Sequence, residues 1–213
     1  MITDERIVSF INSMNIEDEG ITGVIEKEAL EAGVPIIRKE SKEFIRTIMR
    51  IKKPVNILEV GTAVGFSAIY MSGYMPDDGH ITTIENWKPR IEQARINFDR
   101  AGVNDRITLI EGDAADVLTG LTGSYDLIFM DAAKGQYINF LPDVIRLLAN
   151  EGVLISDNVL QDGEILDSRF VVERRNRTIH SRMREYLYEL KHNEQLDTSI
   201  IPIGDGIALS VKV

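Results

Sequence analysis

Cysteine is absent from the 213 residues. Disulfides, thiolate metal sites and cysteine nucleophiles are therefore excluded. No apolar run approaches the roughly 20 residues a membrane-spanning helix needs, and the start, Met1-Ile2-Thr3-Asp4-Glu5-Arg6, lacks the basic-then-apolar pattern of a secretory leader. Internal repeats, low-complexity tracts and Pro/Gly-rich linkers are missing too. These absences lead to the expectation of one cytoplasmic domain spanning residues 1–213 with no membrane partner. Apolar content of 44% and charged content of 27% suit a soluble globular chain. The net charge of −10 argues, taken alone, against a nucleic-acid partner.

What is present is an alternation. Residues 3–33 read as helical with a break near Met14–Glu19, and carry apolar residues at Ile7, Phe10, Ile11, Val24, Ile25 and Leu30. Ser41 to Ile51 repeats apolar residues at helical spacing, so residues 1–50 form a helical cap region. Candidate strands follow at Asn56–Val60, His80–Glu85, Ile107–Glu111, Tyr125–Met130 and Gly152–Ser156. Helical stretches separate them: Ser67–Tyr74, Lys88–Ala101, Ala115–Leu118 and Tyr137–Leu148. A long helical segment is expected over Ser168–Lys191. Two strand-like runs, Thr198–Ile203 and Gly206–Val213, close the chain, and Gly204-Asp205-Gly206 between them reads as a tight hairpin. The fold class is α/β: a doubly wound, Rossmann-like sheet, mostly parallel, with an antiparallel C-terminal hairpin and helices on both faces. That ending is the class I methyltransferase pattern rather than the dinucleotide-binding one.

The first strand runs into Glu59-Val60-Gly61-Thr62-Ala63-Val64-Gly65-Phe66-Ser67. Gly61 and Gly65 permit a sharp turn close to a ligand. Their Gly-x-x-x-Gly spacing misses the dehydrogenase fingerprint, and no Lys-Ser/Thr pair follows as in a phosphate-binding loop. Glu59 would put a carboxylate near the ligand, which repels pyrophosphate and attracts a sulfonium or amine. Glu85 ends the second strand, where an acid can accept both ribose hydroxyls. Asp113, after the third strand, can reach an adenine amino group. Three acids around one crevice fit S-adenosylmethionine.

Asp131 ends the fourth apolar run and Asp157-Asn158 ends the fifth. If these strands are neighbours, two carboxylates and a carboxamide meet at one sheet edge, the edge where open α/β sheets bind ligands. An all-oxygen set suits a hard cation such as Mg²⁺ and does not suit zinc. Lys134, one turn from Asp131, can take a proton or stabilise an oxyanion; its plainer role is to pair with a carboxylate. His80, His180 and His192 fall outside these motifs and are expected at the surface.

Ile57-Leu58-Glu59-Val60-Gly61, Asp131-Ala132-Ala133-Lys134-Gly135-Gln136-Tyr137, Asp157-Asn158 and Gly204-Asp205-Gly206 together resemble the cation-dependent O-methyltransferases, a family that includes the catechol and caffeoyl-CoA enzymes. The resemblance covers residues 34–213. Within that family, Gly61 to Ile69, Ala132 to Tyr137, Asp157 to Leu160 and Ile201 to Gly206 are more similar to the bacterial tRNA 5-hydroxyuridine methyltransferases. The resemblance implies metal ligands at Asp131, Asp157 and Asn158, and cofactor contacts at Ile37, Ser67, Glu85, Asp113, Ala114 and Asp131. It also implies a homodimer.

Two substrate classes follow. One is a small phenol with vicinal oxygens; the other is the tRNA anticodon, through a wobble 5-hydroxyuridine whose 4-carbonyl and 5-hydroxyl are likewise adjacent. From Arg169 to Lys191 there are seven basic residues against three acids. On one continuous helix, Arg174, Arg175, Arg177, Arg182 and Arg184 would lie opposite the apolar face, and arginine forks suit phosphates. Helix charge alone reads as a solvated face or dimer contact. The closer resemblance favours RNA.

Overall fold

The computed structural model describes residues 3–168 and 170–213. Seven strands form one sheet: β1 (Asn56–Val60), β2 (His80–Glu85), β3 (Ile107–Glu111), β4 (Tyr125–Met130), β5 (Leu148–Ser156), β6 (Leu196–Ile201) and β7 (Ile207–Lys212). Their spatial order is β3-β2-β1-β4-β5-β7-β6. β7 pairs antiparallel with both β5 and β6, so it alone runs against the other six. The helices are α1 (Glu5–Ser13), α2 (Gly20–Glu31), α3 (Lys39–Lys52), α4 (Phe66–Ser72), α5 (Lys88–Ala101), α6 (Ala114–Gly120), α7 (Tyr137–Leu147) and α8 (Arg177–His192).

Period-two alternation divides the core. Ile57, Ile81, Leu127, Phe129 and Ile155 point to one face, where Ile25, Ile45, Phe66 and Phe98 of α2 to α5 cover them. Leu58, Val60, Ile128, Met130 and Leu154 point to the other, against Leu118, Val144, Met183 and Tyr186 of α6 to α8. Local signals place the helix ends. The Asp113 carboxylate accepts the Ala115 N–H at 2.9 Å and starts α6. Gly102, at φ +65°, ends α5 as a left-handed cap.

Four expectations are corrected. The helix expected over Ser168–Lys191 begins only at Arg177, as α8; residues 170–176 are turns and bends, and a 3₁₀ turn at Gln161–Leu166 comes before them. The Arg177 guanidinium occupies the carbonyls of Val172 and Phe170, at 3.1 and 3.2 Å, so those groups are satisfied without a helix. The C-terminal link is not a two-residue turn but spans residues 202–206 between β6 and β7. β5 begins at Leu148, earlier than expected, and its register against β4 shifts between the Leu148 and Val153 pairings. In the cap, Ile25 is buried, whereas Ile7, Phe10, Ile11, Val24 and Leu30 are exposed; α1 buries none of its residues. Among the described residues no helix is long and apolar enough to cross a membrane.

Candidate active site

β4 and β5 are parallel neighbours, with Met130 opposite Ser156. The next residues therefore emerge side by side at the carboxyl edge, and the Asp157 N–H donates to the Met130 carbonyl at 3.0 Å. Tyr137, fully buried, fastens this edge: its hydroxyl lies 3.0 Å from the Met130 carbonyl and 3.2 Å from that of Asp157, and accepts the Ala132 N–H. Tyr137 stood in the sequence motif, but nothing in the one-dimensional pattern marked it as the strap between two strand ends.

Asp157 is 2% exposed. Burial, and then the neighbouring Asp131 carboxylate, push it up to about 7. Burial also raises Asp131, against the opposing Lys134 charge. One Asp157 oxygen accepts the Asn158 N–H at 2.8 Å. Asn158 is left-handed at φ +58°, and its amide nitrogen faces Asp205 Oδ2 at 3.4 Å. Lys134 opens the 3₁₀ turn Lys134–Gln136 and makes no ion pair among the described residues.

A buried and a half-buried carboxylate side by side repel each other unless a cation joins them. The donor chemistry therefore fits Mg²⁺, which Asp131, Asp157 and Asn158 would hold. The set holds two acids and an amide; no group of three or more His, Cys, Asp or Glu residues able to hold a metal occurs among the described residues.

Beside this cluster is a cavity of about 340 Å³, whose lining includes Gly61, Glu85, Asp113, Ala114 and Asp131. These five of the expected cofactor residues are brought together. Glu85 is held by three backbone donors: Ala63 at 2.9 Å, and Asn86 and Trp87 at 3.0 Å. Gly61 has φ +105°, and a Cβ there would lie 2.1 Å from the Asp131 carbonyl oxygen. Besides lining the cavity, Gly61 thus packs tightly against the end of β4.

Ile37, Glu59 and Ser67 are not in that lining. Ile37 is buried in the α2–α5 core layer. Glu59 was expected beside a ligand; it is instead fully buried, with Ser67 and Thr83 each donating a hydroxyl to it at 2.5 Å. Burial pushes Glu59 up to about 7, against those two hydrogen bonds. Its direct role is to hold Ser67 at the start of α4.

The arginine face is also changed. Arg174 and Arg175 precede α8 and are exposed, with Arg175 paired to Glu173. Arg177 spans the two carbonyls described above, Arg182 donates to the Gly135 carbonyl at 3.1 Å, and Arg184 to that of Ile165 at 3.0 Å. Three of the five thus tether loops near the site. Arg169 lies outside the described residues. Of the histidines, His192 is exposed, His80 bonds Thr108, and His180 is buried, contrary to expectation.

A doubly wound sheet with one antiparallel strand, β7, and acids at the carboxyl ends of β2 to β5 define the class I methyltransferase architecture. The sequence model of the O-methyltransferase family matches residues 22–213. The catechol O-methyltransferase of Niastella koreensis is 30% identical, over 97% of this chain and 96% of that protein. A Staphylococcus aureus structure assigned as a caffeoyl-CoA O-methyltransferase superposes with a TM-score of 0.86 at 30% identity, covering 98% of each chain. An S-adenosylhomocysteine-bound methyltransferase from Podospora anserina gives 0.86 at 25% identity, covering 98% of this chain and 94% of that one. The chain belongs to the O-methyltransferase family.

Proposed function

We propose that the protein transfers a methyl group from S-adenosylmethionine to one of two vicinal oxygens on a small catechol-type phenol, with Mg²⁺ at the strand-end cluster. The observation that carries this reading is the pairing of a half-buried Asp131 with a buried Asp157 at adjacent strand ends, beside a cavity whose rim bears Glu85 and Asp113. The family relatives named for catechol and caffeoyl-CoA chemistry support the choice of a phenol.

When bound, the methyl donor supplies an electrophilic carbon, and Mg²⁺ lowers the pKa of the accepting hydroxyl and fixes its direction. The chain's residues do the rest. Glu85, its orientation set by three N–H donors, accepts hydroxyls of the ribose. Asp113 accepts from the adenine amino group while capping α6. Asp131, Asp157 and Asn158 would hold the cation through side-chain oxygens and would leave it able to take two adjacent substrate oxygens. Lys134, which makes no ion pair among the described residues, stabilises the developing oxyanion as its ammonium, or takes the hydroxyl proton in its neutral amine form. Because Gly61 touches Asp131, donor and acceptor sites adjoin, and this orientation supplies part of the rate.

A second reading, methylation of wobble 5-hydroxyuridine in tRNA, is favoured by exposed Arg174 and Arg175 and by the same demand for adjacent oxygens. Spending Arg177, Arg182 and Arg184 on carbonyls weakens it. Purified protein with labelled S-adenosylmethionine should label a catechol in the presence of Mg²⁺, and a chelator should abolish this. Labelling of hydroxyuridine-containing tRNA with none of the phenol would reverse the order of the two readings. Labelling of the phenol unaffected by chelator would remove the metal.

A further inference from the structure

We propose that Asp205 is a positioning residue that aims the Asn158 carboxamide, and so decides which end of that side chain faces the cation. This rests on the Mg²⁺ site of the proposed function. An amide can turn over about its last bond at little steric cost, and only its oxygen binds a hard cation. Asp205 Oδ2 faces Asn158 Nδ2 at 3.4 Å. A carboxylate only accepts, so it selects the nitrogen and leaves the oxygen on the other end. That oxygen has no hydrogen-bond donor among the described residues.

Asp205 is itself held in place. It is 8% exposed, and Arg38 Nη2 lies 2.7 Å from its Oδ1. Arg38 also reaches Asp162, at 3.1 Å. The backbone grips as well: the Asp205 carbonyl accepts the Leu160 N–H at 2.8 Å, and the Gly206 carbonyl accepts the Val159 N–H at 2.9 Å. A Cβ on Gly206 would lie 2.3 Å from Leu160 Cγ, so the turn is seated against the loop that bears Asn158. The arrangement also explains a carboxamide rather than a carboxylate at 158: a second carboxylate would face Asp205 directly.

The test is Mn²⁺ affinity of the whole, substrate-free protein by electron paramagnetic resonance. Melting temperature and S-adenosylhomocysteine affinity serve as folding controls. Asp205→Asn is nearly isosteric, but its single oxygen is drawn to Arg38 and its nitrogen then faces Asn158. Mn²⁺ binding should weaken about 10–100-fold. Asp162, whose side chain hydrogen-bonds Asp205, is the control: Asp162→Asn removes a charge from the same cluster, still offers Asp205 a hydrogen-bond donor and leaves Asn158 facing Asp205, so it should stay within about threefold of the native protein. The exchange Asn158→Asp with Asp205→Asn restores a donor facing an acceptor, and should recover most of the loss. Native affinity in Asp205→Asn, an equal loss in Asp162→Asn, or no recovery in the exchange would overturn the role of Asp205 alone. If Asp205→Asn fails to fold, the exchange and Asp162→Asn decide in the same way. Native protein that binds no Mn²⁺ would overturn the metal reading, and this inference with it.

Discussion

Glu59 is a fully buried carboxyl beneath the site. Its ordinary value of 4.5 is pushed to about 7 by burial. A carboxyl raised on folding binds its proton more tightly in the native state. Its contribution is therefore complete below its unfolded value and is lost as pH rises through the folded one. Ligand-free protein should lose stability between about pH 5 and 8, by up to about 3 kcal/mol from this residue. Urea denaturation across that range should show a shallower slope for Glu59→Gln; an unchanged slope would place the titration elsewhere. Asp157→Ala should abolish turnover while leaving donor affinity within about threefold, as measured by calorimetry. Lys134→Met should lower kcat by about 10²-fold or more at unchanged donor affinity. At this scale Asp131, Asp157, Asn158, Glu85 and Asp113 were legible because each ends a strand in a parallel sheet. Arg38 and Asp205 were not, because they meet across 167 residues of chain. His180 was misread because its place outside the motifs was taken to mean the surface, whereas it sits among the buried positions of α8.

At the scale of elements, the β1–α4 turn and the end of β4 form one contact. Gly61→Ala would force its Cβ into the Asp131 carbonyl at a positive φ. It should destabilise the protein by about 1–3 kcal/mol and weaken both donor and Mn²⁺ binding. Loss of donor binding alone would show that the two subsites are independent. The segment between β5 and α8 depends on arginine tethers. Arg177→Gln releases two carbonyls, and limited proteolysis should then cleave faster at residues 170–173. The strand pattern was legible because buried parallel strands are short apolar runs bounded by turn residues. The break between Gln161 and Arg177 was not, since a guanidinium satisfying carbonyls leaves no periodic trace.

For the whole molecule, the unexplained surface is on the cap. Ile7, Phe10, Ile11 and Met14 recur at helical spacing on α1, and Phe10 and Met14 are over 60% exposed. An amphipathic helix with no buried residue calls for a partner, and a second copy of the chain is the proposal here. Light scattering should give twice the chain mass, falling to the monomer value for Phe10→Asp with Ile11→Asp; a native monomer would refute it.

The position of β7 carries one more consequence. It is the last strand in sequence, yet it lies between β5 and β6, and residues 204–206 just before it brace Asn158. During synthesis, β1 to β5 can pair in order as they leave the ribosome, but the acceptor half of the site cannot take its final shape then. The unpaired edge of β5 stays open to wrong partners until residues 207–212 arrive. Chains stalled or clipped before this point should aggregate, and should lack cation binding even where the donor cavity has already formed.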